Sequence, residues 1–375
     1  MSHISSVLAS LVHVLSHAPS VFWRLTLSGI ELGGVYALIA IGYTLVYGVL
    51  QFINFAHGDV YMVGAYIGFF SVTVWFASSS PWIQGICGIV LSIIGCALLG
   101  LFIERLAYRP LRNGLSSADA VPWSIISAFY VDAFLGKYLA ARSVLPAVAI
   151  YLIVFAISFA VMLVVLKKLF RMLAPRIKPT NDRLTALITA IGMSLLLENQ
   201  GAASFGVSPH IAQVKGINQS VAPLIVLVAS VVLAAALVFV IKATSIGRAI
   251  RAVSQDKDAA ALMGIPTDKV VGFTFLLGAG LAGAGGFLNH MVDGVQFDTN
   301  IGITLGLKAF IAAVLGGIGR VDGAIVGALL MGLAETYTGA SIFSDFKNAV
   351  AFVILIAVLL LRPSGILGKT AQEKV

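Results

Sequence analysis

Long apolar stretches separated by short polar breaks dominate the chain. They fall at residues 25–50, 60–76, 81–103, 184–197, 221–241, 270–288, 304–315, 324–338 and 349–361. None alternates apolar and polar positions, so they predict spanning helices rather than barrel strands, which alternate over roughly ten residues. Several are shorter than the roughly 20 residues a straight span needs. Short, glycine-interrupted spans occur where helices tilt, break or line a cavity. Small residues recur four apart at Gly29/Gly33, Gly64/Gly68, Gly302/Gly306 and Gly319/Gly323/Gly327. In lipid, where water expulsion cannot drive helix pairing, such faces let backbones approach closely.

Residues 113–182 read as an insertion. Positions 147–166 form an unbroken apolar run, a strong single span. Its surroundings are basic on both sides: Arg105, Arg109 and Arg112 before, and Lys167, Lys168, Arg171, Arg176, Lys178 and Arg183 after. One span cannot return the chain to its starting side, so a second crossing or re-entrant piece is required. Residues 122–140, which carry Asp132 and Lys137, are the only candidate. The expected organisation is an N-terminal interfacial segment at 1–24, with a short helix at 5–23. A first part of the core follows at 25–112, then an inserted membrane hairpin at 113–182. A second part of the core occupies 183–375 and contains a cytoplasmic loop at 242–269. The predicted fold class is all-α, a polytopic transmembrane helical bundle of about 8–11 spans including the inserted hairpin.

Composition removes the soluble alternative. Hydrophobic residues make up 59% of the chain and charged residues 11%, against about 45–50% and about 25% in soluble domains. The net charge of +8 would favour nucleic acid in a soluble protein. Here the basic residues sit in a few loops beside apolar runs, the positive-inside pattern. The loops around 105–112, 167–183 and 242–269, Arg320, and the tail with Arg362, Lys369 and Lys374 are therefore placed in the cytoplasm. That puts the N-terminus outside and the C-terminus inside. No cleavable signal is evident, because Arg24 follows the first apolar patch rather than preceding it. Cys87 and Cys96 lie nine residues apart in one predicted helix. They fall on opposite faces, about 13 Å apart along the axis, and cannot bridge.

Soluble-enzyme signatures fail in context. Gly278, Gly280 and Gly283 match a dinucleotide fingerprint, but they lie inside an apolar helix with no preceding strand. Gly368-Lys369-Thr370 resembles the end of a phosphate loop, yet Pro363 stands where its first glycine belongs. Metal-ligand and nucleophile spacings are missing too, so the chain is expected to be no enzyme, with no metal and no cofactor of its own. Polar groups near membrane depth carry more weight, because they are costly there. They are Glu31, Gln51, Asn54, His57, Asp59, Glu198, Asn199, Asn289, His290, Lys308 and Glu335. Asn54, His57, Lys308 and Glu335 are the candidate translocation path. Lys308 and Glu335 each lie within an apolar segment; mutual neutralisation is the plainer reading of that pair.

The loop at 242–269 mixes Arg248, Arg251, Lys257 and Lys269 with Asp256, Asp258 and Asp268. Residues 247–253 read as a prolongation of the fifth span, ending with Arg248 and Arg251. Asp256 or Asp258 caps a short second helix. Gly264 suits its left-handed exit and Pro266 prevents continuation. A capped helix at the membrane surface makes a docking lever; a solvated connection is the bland alternative.

The stretch GVYALIAIGYTLVYG at 34–48, continuing to INFAHGD at 53–59, closely resembles the permease subunits of branched-chain amino acid ABC importers of the LivH type. So do GRAIRA at 247–252 with Gly264-Ile265, KAFIAAVLGGIG at 308–319 with Gly323-Ala324, and PSGILG at 363–368. The resemblance covers most of 25–112 and 184–370; residues 113–182 depart from the usual pattern. It implies a transport subunit of a bacterial inner membrane that moves branched-chain amino acids by alternating access. The implied partners are a homologous second permease, two cytoplasmic ATPases that use ATP, and an extracytoplasmic substrate-binding protein. It also implies that Arg248, Arg251, Asp256, Asp258, Gly264 and Ile265 couple the chain to the ATPase. Related permeases serve urea and short amides, so that solute class is the alternative. An ion-coupled secondary transporter is a further competitor, separated by its dependence on an ion gradient.

Overall fold

The computed structural model describes residues 19–114, 119–131, 147–173, 183–218 and 220–368. Expectations for 1–18, 132–146, 174–182 and 369–375 lie outside the described residues. The helices are α1 (Pro19–Leu50), α2 (Ala56–Phe70), α3 (Pro81–Ile103), α4 (Arg109–Asn113), α5 (Ala120–Val131), α6 (Ala147–Leu173) and α7 (Arg183–Phe205). After them come α8 (Ala222–Ala243), α9 (Ser245–Gln255), α10 (Lys257–Leu262), α11 (Thr267–Phe287), α12 (Ile301–Gly316), α13 (Val321–Gly339) and α14 (Lys347–Leu361). Single π-helical turns extend α2, α3 and α11. The described residues form no strand beyond one isolated antiparallel bridge between His210 and Phe297. The all-α membrane bundle expected from the pattern is what the chain forms.

Two compact units are distinguished, 1–101 with 190–375, and 102–189. In the smaller one, α5 packs on α6, and Arg112 pairs with Glu104 at 2.8 Å, both nearly fully buried. α6 shows an apolar outer face, with Ile157, Val164 and Met172 exposed. In the larger unit, α1 and α11 are central. Their apolar windows are 83% buried, against 22% for α8 and 6% for the helix ending at Leu361, so α8 and α14 coat the bundle.

Glycine sets the central spacing. α13 packs along α1, where a Cβ on Gly332 would collide with the Gly33 nitrogen and the Gly29 carbonyl oxygen. A Cβ on Gly64 of α2 would lie 2.5 Å from the Cα of Gly283 in α11. Gly278 and Gly283, the fingerprint glycines, are helix contacts of this kind. Gly319 is different: it takes φ 91° in a turn, with open space around its Cα. Gly332→Val is expected to lower the thermal midpoint of the purified chain, since overpacking costs roughly 1–3 kcal/mol or more. An unchanged midpoint would remove the close α1–α13 contact as a source of stability.

Several segments differ from expectation. Pro19–Trp23 do not belong to a separate short helix but form the first turns of α1, which proline can open because its missing N–H is unpaired there anyway. Residues 51–55 turn back into the bundle after Gln51 adopts φ 55°. The first turn of α2 lies beside Gly42, where a Cβ would meet the His57 ring. That is eight residues, about 12 Å, inward of Leu50. α12 starts next to that turn, with Gly302 against Asp59. α12 and α13 are bent by 120° across a four-residue break, the geometry of a broken span or a re-entrant loop. Six described helices are long and apolar enough to cross a membrane, seven with this pair counted once. The 8–11 spans expected from the sequence also take in each arm of the pair, the half-length α2, the more polar α7 and residues 122–140, of which those beyond 131 lie outside the described residues.

The fifth span does not continue through 247–253. The helix stops at Thr244, whose ψ of 162° is extended. Thr244 then accepts the Gly247 N–H at 3.1 Å and opens α9 as a new helix.

Candidate functional site

Lys308 of α12 and Glu335 of α13 are brought together. The Lys308 ammonium meets Glu335 Oε1 at 2.5 Å, with the residues 8% and 5% exposed. Tyr36 of α1 donates its hydroxyl to Glu335 Oε2 at 2.6 Å. Lys308 also donates to Asn348 Oδ1, in the first turn of α14, at 2.8 Å. Four helices thus converge on one ion pair. A lone charge in this setting would be prohibitive, and the pair survives because each partner is hydrogen-bonded as well. Tyr36 and Asn348 were not singled out by sequence reasoning. Tyr36 lies within the GVYALIAIG run, where one hydroxyl among apolar residues gives little signal.

Asn54 and His57 occupy a different layer. Asn54 is buried at the start of α2, where its carbonyl accepts the His57 N–H at 3.1 Å. The His57 ring meets Tyr43 edge-on at 4.8 Å, and Tyr43 in turn meets Phe310. Most neighbouring polar groups are engaged in place, but His57 Nε2 and Asp59 Oδ1 are buried without a hydrogen-bond partner. Ser194 donates to Asp59 Oδ2. The Val295 carbonyl accepts from His290 Nδ1 at 2.7 Å, which leaves Nε2 to accept the Tyr61 hydroxyl at 3.0 Å. Asn289 donates to the same Tyr61 oxygen at 2.9 Å. Such closed networks fix helix positions; no group of three or more His, Cys, Asp or Glu among the described residues is placed to hold a metal.

The polar arm between α8 and α11 is the second feature. α9 buries Ile250 and Val253 and exposes Arg248. Arg251 donates to the Ile241 carbonyl, an orphan group at the end of α8. Asp256 caps α10 by accepting from the Asp258 and Ala259 nitrogens at 2.9 Å, while Asp258 itself sits in the first turn. Gly264 exits at φ 81°. The Gly264 N–H bonds the Ala261 carbonyl and the Ile265 N–H bonds the Ala260 carbonyl, both at 3.0 Å. That pair of bonds is a Schellman closure, which satisfies the last carbonyls of the helix. The tip just before it carries Leu262, 89% exposed, and Met263, 83% exposed. The sequence reading passed over these two; an apolar pair ahead of a helix-ending glycine in a charged loop was the available signal.

A helical membrane bundle with a buried intramembrane ion pair and a structured polar arm defines a multi-pass membrane protein of the transport class. Residues 25–359 match the family described as branched-chain amino acid transport system, permease component. The chain belongs to that permease family. It is 33% identical to the high-affinity branched-chain amino acid transport system permease protein LivH of Escherichia coli K12, over 94% of this chain and 98% of the relative. It is 34% identical to the corresponding permease protein BraD of Pseudomonas aeruginosa, over 93% and 96% of the two chains. A shorter similarity, 31% over 32% of this chain and 40% of the relative, joins it to the ribose import permease protein RbsC of Haemophilus influenzae. No solved structure matches.

Proposed function

We propose that this chain is a permease subunit of an ABC importer that carries branched-chain amino acids across a bacterial inner membrane. The near full-length similarity to permeases named for that solute carries the reading. In this view the chain has no ATPase site of its own and pairs with a homologous permease. Two cytoplasmic ATPases consume ATP, and an extracytoplasmic binding protein delivers the solute. The arm from Arg248 to Ile265 docks on an ATPase through Leu262 and Met263. Arg248 and Asp258 lie at its solvated face, and the Asp256 cap and Gly264 closure hold its shape. ATP-driven closure of the ATPases moves the arm, and the bundle alternates between outward and inward openings. Asn54, His57, Lys308 and Glu335 belong to the path's polar steps. Residues 113–182 form an inserted membrane hairpin.

Proteoliposomes holding the complete importer are expected to accumulate leucine only with ATP on the arm side and binding protein on the other. Uptake that runs on an ion gradient without any ATPase subunit would overturn the proposal. Carriage of urea or a short amide in place of leucine would overturn the solute alone.

A further inference from the structure

A cavity of about 420 Å³ lies between α1, α13 and the start of α14. Its polar lining is Ser28, Glu335, Thr336 and Lys347, and Leu25 and Leu32 supply an apolar wall. Glu335 is the buried charge among them, at the floor; Ser28 and Lys347 are exposed at the mouth. The stem of Lys347 lies along Gly339, with its Cδ 3.7 Å from the position a Cβ would take there. The cavity sits along the first turns of α1, whereas the arm packs at the other end, where Gly48 neighbours Ser254. Leu25 and Gly48 are 23 residues apart, about 35 Å of helix. The cavity therefore opens at the end of the bundle remote from the arm.

We propose that this cavity is the first docking site of the solute in the permease, for an α-amino acid zwitterion with an aliphatic side chain. The inference rests on the branched-chain amino acid reading above. The ligand's carboxylate meets the Lys347 ammonium and the Ser28 and Thr336 hydroxyls. Its ammonium faces Glu335, and its side chain lies on Leu25 and Leu32. Glu335 already balances Lys308 and accepts from Tyr36, so the floor is close to neutral overall. A net-neutral zwitterion fits that balance; a cationic amino acid adds a second positive charge beside Lys347 and Lys308 and is disfavoured. Attraction shared between one exposed ammonium and a carboxylate that already has partners is weak, which suits a site that must also release its solute.

The test uses the complete importer in proteoliposomes with saturating binding protein. Lys347→Gln is expected to lower leucine uptake about tenfold, the value of one charge-assisted hydrogen bond, while Lys347→Arg keeps most of it. Leucine affinity of the binding protein and the basal ATPase rate stay at wild-type values in both. A diazirine analogue of leucine is expected to label peptides spanning 25–32 or 336–347 in the wild type, with unlabelled leucine competing and lysine not. Wild-type uptake by Lys347→Gln, or labelling confined to other helices, overturns the assignment while leucine transport itself stands. A wild-type importer that carries some other solute and no leucine overturns the solute reading, and the zwitterion site with it.

Discussion

Leu262→Asp combined with Met263→Asp is expected to abolish ATP-driven uptake while leaving the chain folded in the membrane. Neither side chain holds the bundle together, because both point away from it at 89% and 83% exposure. Each is worth roughly 1.5–3 kcal/mol if it becomes buried on a partner. Removing both contacts should weaken docking about 100-fold or more, and desolvating two carboxylates adds to that cost. The measurement is retention of the ATPase on the purified permease, paired with uptake in proteoliposomes and chain abundance in membranes. Wild-type retention and uptake would end the docking role of this tip. Gly264→Val probes the same lever through its geometry. No atom lies within 4 Å of the Cβ that would be added, so sterics with neighbours are irrelevant. The cost is the backbone at φ 81°, about 1–2 kcal/mol for a residue with a Cβ, which re-aims Leu262 and Met263. Uptake should fall with it, though less than for the double aspartate.

What could be read from the residues depended on whether the cause was local. The start of α3 at Pro81 coincides with the start of its apolar run because proline opens it. The cap of α10 by Asp256 and its exit at Gly264 were legible for the same reason, since both are fixed by backbone chemistry within a few residues. The break at Thr244 was not. Threonine is tolerated in helices, and the apolar period runs through it; only the extended ψ and the Gly247 bond reveal the stop. The bend between α12 and α13 was hidden too. Gly317 and Gly319 permit a turn, but its angle is set by packing against α1 and the tail, where Ile366 and Leu367 donate to the Leu315 and Gly316 carbonyls. Lys308 and Glu335 stood out as charges in apolar runs, whereas Asn348, 40 residues beyond Lys308, could be assigned to them only in three dimensions.

Lys308→Met and Glu335→Gln are each expected to destabilise the chain strongly, and the pair offers a way to separate fold from transport. Removing one partner of a buried ion pair leaves the other charge uncompensated, at a cost of roughly 3–5 kcal/mol. Lys308→Met leaves the Glu335 carboxylate with only Tyr36; Glu335→Gln leaves the Lys308 ammonium with only Asn348 and a neutral amide. The double variant Lys308→Met/Glu335→Met restores an apolar contact between α12 and α13, and such replacements are often neutral or better. It still strands the Tyr36 hydroxyl, at about 1–3 kcal/mol, so recovery of the thermal midpoint should be substantial but incomplete. Uptake distinguishes the two readings of the pair. If the charges only neutralise each other, transport returns together with stability. If Glu335 faces the solute, as its place at the floor of the α1–α13 cavity implies, the double variant folds and assembles with its ATPases yet carries leucine at roughly a tenth of the wild-type rate or less. Full recovery of uptake in the double variant would assign the pair to packing alone.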